Sequence, residues 1–215
     1  MAKTMYSLML SEDVVNAIDA LAHRAGTNRS QMINMILAEY ISYRTPEQRM
    51  REMFDSMERM LPADSPLQVM LRSSDSMLNL RSALAFKYNP TIRYTLELER
   101  SLGRDIGKLK VSLRTQNQSL LLYLTQFYKL WGRLTDHTPG SGSWAAGDGR
   151  FIKNLRLAAE GNYSEEQLSS AIVEYISAFD ESLRAFFYQL NQPQEAIAQV
   201  QQIYNRYLAG HPLII

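Results

Sequence analysis

Cysteine is absent from the 215 residues, which excludes disulfides and every thiolate metal site. Histidine is scarce, and His23, His137 and His211 lie too far apart to share a metal ion as a spaced ligand set. Charge of one sign is also missing: 23 Lys and Arg against 22 Asp and Glu leave a formal net charge of +1. Any contact with nucleic acid must therefore come from a local arrangement rather than a global field. No apolar run approaches the roughly 18 residues of a membrane span; "LLLYL" at 120–124 is flanked by polar residues. The chain opens without a basic segment, apolar stretch and cleavage pattern, so a cytoplasmic address is expected, with no membrane partner. Gly140, Gly142, Gly147 and Gly149 lack the Lys-Ser/Thr of a phosphate-binding loop. No nucleophile elbow, HExxH or paired catalytic carboxylates occur, and the expectation is a non-enzyme without cofactor. What remains, 46% hydrophobic and 21% charged residues, is the composition of a globular protein.

The stretch "TMYSLMLSED" at 4–13 alternates with period two, Tyr6, Leu8 and Leu10 on one side and Met5, Ser7 and Met9 on the other. It reads as a short strand. Ser11 then caps a helix to about Ala25, with Glu12 and Asp13 in the first turn and Val14, Ile18, Leu21 and Ala22 on one stripe. Gly26 ends it, and Asn28 with Gln31 opens a second helix whose stripe is Met32, Ile33, Ile36, Leu37, Tyr40 and Ile41. One strand and two helices cannot bury these stripes alone. A second copy is implied, its strand pairing antiparallel with the first.

The segment "YSLMLSEDVVNAIDALAHRAGTNRSQMINMILAEYI" resembles the ribbon-helix-helix family of DNA-binding regulators, the Arc, MetJ and CopG type. The resemblance rests on strand length, the Leu-Ser-Glu opening of the first helix and the Gly-x-x-Arg-Ser turn. It covers residues 3 to about 44. It implies a homodimer whose ribbon enters the major groove of double-stranded DNA, with Lys3, Met5, Ser7 and Met9 facing the bases and Asn28, Arg29 and Ser30 holding a phosphate. Unpaired amides and the helix dipole suit an anion there in any case. Methionine touches a thymine methyl but makes no bidentate hydrogen bond, so readout is expected to be semi-specific.

"TPEQRMREMFDSMERMLPADSP" reads as a connecting helix with Met50, Met53, Phe54, Met57 and Met60 on one face, its methionines serving as core filler. Pro62 and Pro66 close it, giving a module at 1–44, a connector at 45–66 and a second domain at 67–215. A helix is expected from about 67 to Leu78, strands at 91–99 and 107–114 joined by "LGRDIG", a third strand near 80–88, and after them a helix over "SLLLYLTQFYKLWGRL" with enough apolar surface to cover the sheet. "DHTPGSGSWAAGDG" reads as a loop in which Trp144 is either a docking anchor or a tack onto the core. Helices follow at about 150–160, 164–191 and 193–209, and "PLII" at 212–215 is an exposed patch unless it docks. The outer face of the hairpin gathers Arg93, Lys108, Lys110 and Arg114 with Glu97 as its one acid. It is either a solvated face or a second surface for DNA or another anion.

The expected fold is therefore mainly α, an N-terminal ribbon-helix-helix followed by an α+β domain with a small antiparallel sheet. The expected function is a homodimeric DNA-binding transcriptional regulator, with an effector or protein partner on the second domain. The alternatives are an accessory or partition-type DNA-binding protein of a mobile element and a dimeric scaffold that binds no DNA.

Overall fold

A computed structural model describes residues 7–41, 45–70, 77–100 and 103–215. The chain divides between Gln48 and Arg49 into two compact units.

In the first unit, α1 (Glu12–Arg24) and α2 (Arg29–Tyr40) form a helical hairpin. Acids Glu12 and Asp13 sit in the first turn of α1, and His23 and Arg24 in its last, each complementing the helix dipole. Gly26 takes φ +61°, a conformation that favours glycine, and Thr27 N–H returns to the Ala22 carbonyl at 2.9 Å. The Asn28 side chain then caps α2 by accepting from Gln31 N–H at 2.9 Å. The buried core is small: Ile18, Ala22 and Met32, with Ile33 packed against them. Val14, Leu21, Ile36, Leu37, Tyr40 and Ile41, all assigned inward by periodicity, are exposed.

The expected N-terminal ribbon is corrected here. Ser7–Leu10 belong to no strand, and Leu8, Met9 and Leu10 are all exposed, so the alternation separates no inner face from an outer one. An extended segment without a ladder partner in its own chain makes no sheet. Lys3, Met5 and Tyr6 lie outside the described residues. The fold is α+β, with its sheet following the helical N-terminal region rather than a ribbon opening the chain.

The second unit begins within α3 (Pro46–Met60), whose Met50, Met53, Phe54 and Met57 are buried in the main core. Six antiparallel strands follow in the spatial order β1-β2-β3-β4-β6-β5. They are β1 (Gln68–Val69), β2 (Met77–Ala83), β3 (Thr91–Leu98), β4 (Asp105–Ser112), β5 (Trp144–Gly147) and β6 (Arg150–Arg156). The helices α4 (Gln118–Asp136), α5 (Glu165–Tyr188) and α6 (Pro193–Ala209) complete the unit. Inward residues of the central strands, Ile92, Tyr94, Leu96, Leu109, Val111, Phe151 and Leu155, share one core with α4 and α5. Phe179 of α5 stands at its centre, its ring 5.3–6.1 Å from those of Tyr94, Phe127, Trp131 and Phe151. The Tyr94 hydroxyl donates to Asp180 Oδ1 at 2.7 Å, and Arg184 donates to Asp180 Oδ2 at 2.8 Å, so a fully buried carboxylate is neutralised within the helix layer.

Three further expectations are overturned. At the described ends of the helix expected from 67 to 78 the structure has strands instead, β1 at Gln68–Val69 and the start of β2 at Met77 and Leu78, because Leu78 and Leu80 belong to the period-two pattern of the sheet; residues 71–76 lie outside the described residues. The helix expected at 150–160 is β6, in which the wholly buried Lys153 takes an inward position and conceals the alternation. Its ammonium donates to the Gly142 carbonyl at 2.6 Å and to Ser141 Oγ. The segment ending in "PLII" is not an exposed patch: Ile214 bridges Leu157, Ile215 N–H donates to the Arg156 carbonyl at 3.0 Å, and both isoleucines are buried. Trp144 tacks β5 onto α4. Its ring lies where a Cβ on Gly132 would come within 2.3 Å, and its Nε1–H donates to Asp136 Oδ1 at 2.8 Å.

Candidate nucleic-acid interface

The helices share a core with one face of the sheet, and the strand residues of the opposite face are exposed or half-buried. Strand pairing fixes which side chains share that open face, because residues directly opposite one another point the same way. One row across four strands reads Arg81, Arg93, Ser112, Arg150. The next reads Asn79, Thr95, Lys110, Ile152, and the third Met77, Glu97, Lys108, Asn154. Arg156 lies opposite Asp105 at the far end. Six bases and two acids thus occupy the face of a chain that is nearly neutral as a whole.

Both acids are spent locally. Glu97 pairs with Lys110 at 2.6 Å and Asp105 with Arg156 at 3.5 Å. Arg81 donates to the Gln68 side-chain carbonyl at 3.2 Å, a neutral partner. Among the described residues, Arg93, Lys108 and Arg150 have no acidic partner, and Arg81 stands directly across from Arg93. Like charges in register on adjacent strands repel each other. Protection of a sheet edge does not explain the arrangement, since β3, β4 and β6 are interior strands and the edges are β1 and β5.

A cleft of about 1080 Å³ opens on this face, lined by Lys110, Ser112, Arg114, Thr115, Gln116 and Arg150 among others, with Asp148 its one acid. It brings together Lys110 and Arg114 of the residues expected from sequence. Arg93 lies one strand away in the Ser112 row, and Lys108 lies two residues along β4 on the far side of Lys110. Periodicity missed Arg81, Arg150 and Arg156, two of them because β6 reads as a helix. The signal was present in "RFIKNLR", where Arg150, Ile152, Asn154 and Arg156 alternate with Phe151, Lys153 and Leu155.

The residues expected at the N-terminus are placed differently. Ser7 and Met9 are exposed outside any strand. Asn28 spends its side-chain oxygen on the cap of α2, and Ser30 is exposed in the first turn. Arg29 donates to Asp19 Oδ1 at 2.7 Å and also contacts Oδ2. That hydrogen bond holds the Asp19 carboxyl below the usual carboxylate range and Arg29 above its ordinary value, so the guanidinium is engaged by α1. Among the described residues no helix is long and apolar enough to cross a membrane. No protein-family model, curated protein or solved structure matches the chain.

Proposed function

We propose that the chain is a homodimeric, semi-specific DNA-binding protein of the regulatory kind, cytoplasmic, which lays the open face of its sheet against a duplex. The observation that carries this reading is the uncompensated row Arg81, Arg93 and Arg150 beside Lys108 and Lys110. A phosphodiester backbone supplies the counter-charge that the fold withholds, and release of its condensed cations drives association. Contacts of this type fix position on DNA and carry little base information. Dimerisation is supported by the apolar side chains that the N-terminal hairpin leaves exposed, a surface beyond what its three-residue core can bury. That surface also favours the competing reading, a dimeric scaffold that binds no DNA.

The discriminating experiment is fluorescence anisotropy of a labelled random-sequence duplex over a range of salt, with the wild type and an Arg93→Glu/Arg150→Glu double variant. Loss of two phosphate contacts should weaken binding at low salt by at least about tenfold and reduce the slope of log K against log salt by about 2. Unchanged affinity and slope in a folded double variant would leave the scaffold reading standing.

A further inference from the structure

Away from the sheet's open face, the helix layer holds a groove of about 430 Å³ among α4, the end of α5 and the start of α6. That volume falls in the range of small-molecule sites, which are mostly apolar with a few placed polar groups. Phe186 of α5, Leu190 of the turn after it, and Pro193, Ala196 and Ile197 of α6 supply apolar lining. Ile197 is an exposed large apolar residue, whereas Ala196 beside it is buried. On the α4 side the lining is Tyr123, Gln126, Lys129, Leu130 and Arg133, and among the described residues no acid lines the groove.

The two cations are four residues apart on one helix, the spacing at which like charges face and destabilise each other. Neither has an ion pair among the described residues. Arg133 contributes only its backbone carbonyl, to His137 Nδ1 at 2.6 Å. A guanidinium and an ammonium one helical turn apart can hold the two oxygens of a single carboxylate, while their aliphatic stems extend the apolar wall. The side chains opposite are apolar, and Tyr123 and Gln126 on α4 are the other hydrogen-bonding groups among the described lining residues, so most of the remaining ligand is hydrocarbon.

From this complementarity we infer that the groove is a binding site for a small amphipathic acid, a carboxylate head on an unbranched apolar tail. The head sits between Lys129 and Arg133, and the tail lies along Leu190 and Ile197. The site is separate from the basic sheet face and does not depend on DNA binding. A groove of this volume accommodates one chain rather than the successive anchors of a docked amphipathic helix, which need several turns of contact.

Isothermal titration of the full chain with decanoate, kept below its micelle concentration, and with decanol tests the assignment. Decanoate should saturate with one molecule per chain and bind more tightly than the alcohol. A Lys129→Gln/Arg133→Gln variant, altered only at exposed positions, should lose about tenfold or more of the affinity for decanoate while its affinity for decanol stays the same. Ile197→Glu, which places an acid against the tail, should weaken both. The inference is overturned if decanoate does not saturate, if acid and alcohol bind equally, or if the double variant binds decanoate like the wild type. Tight binding of an acidic helical peptide that decanoate fails to displace would also overturn it.

Discussion

Lys153 shows how one side chain can be costly and yet well placed. It lies on an interior strand with no exposed surface, and its partners are a carbonyl and a hydroxyl, not a carboxylate in contact. Burial lowers its pKa to about 8, opposed by the nearby Asp136. In the unfolded chain the same amine titrates near 10.4, so between the two values the unfolded state binds more protons. Stability contributed by this group must rise with pH across that window and be flat below it. Urea unfolding at pH 7, 8 and 9.5 should show the wild type gaining on a Lys153→Met variant, by on the order of 2 kcal/mol at the upper end. Equal slopes for the two proteins would show that the amine is not desolvated. The range stops short of 10 because buried tyrosines such as Tyr94, whose pKa burial raises, act in the opposite sense above it.

At the scale of elements, helix boundaries follow from local chemistry. Ser164 and Gln167 cap each other's amides at the start of α5, with distances of 3.1 and 2.8 Å, and Glu165 and Glu166 complement the dipole. Ser164→Ala should therefore cost about 1 kcal/mol in chemical denaturation without a change of slope; a loss several times larger would mean that the turn before α5 has collapsed as well. Such signals and apolar stripes are why all of α1 to α6 were legible in the sequence, as were β3 and, from Gly107 onward, β4, which alternate between buried and less buried residues. β6 was not legible, because a lysine at an inward position breaks the alternation and only its tertiary partners Ser141 and Gly142 explain it. β5 is Trp144 followed by three small residues, and its place depends on Gly132 of α4 letting the indole approach. The N-terminal alternation misled for the opposite reason. Its pattern is regular, but among the described residues no strand pairs with Ser7–Leu10. The basic face was half legible: Arg93, Lys108, Lys110 and Arg114 came from one hairpin, whereas Arg81, Arg150 and Arg156 needed the register of neighbouring strands.

For the molecule as a whole, the two units differ in how much they bury. The second has a continuous core from α3 to Ile214, while the first rests on Ile18, Ala22 and Met32 and exposes Ile36, Leu37, Tyr40 and Ile41. Self-association through this apolar surface should make the thermal midpoint depend on protein concentration. Ile36→Glu/Leu37→Glu should then give a monomer in sedimentation equilibrium at concentrations where the wild type is a dimer. A monomeric wild type at tens of micromolar would remove the dimer from the proposed function.

The sheet order has one kinetic consequence. β2, β3 and β4 follow one another as adjacent hairpins, and β5 and β6 form another, so most ladders close over short stretches of chain. The β4–β6 ladder is different, since it joins 105–112 to 150–156 with all of α4 formed in between. Closing that long loop costs chain entropy before any contact rewards it, which makes it the natural bottleneck of folding. Truncations at Leu109, Val111 or Phe151 should slow refolding, whereas truncations in α6 should mainly hasten unfolding.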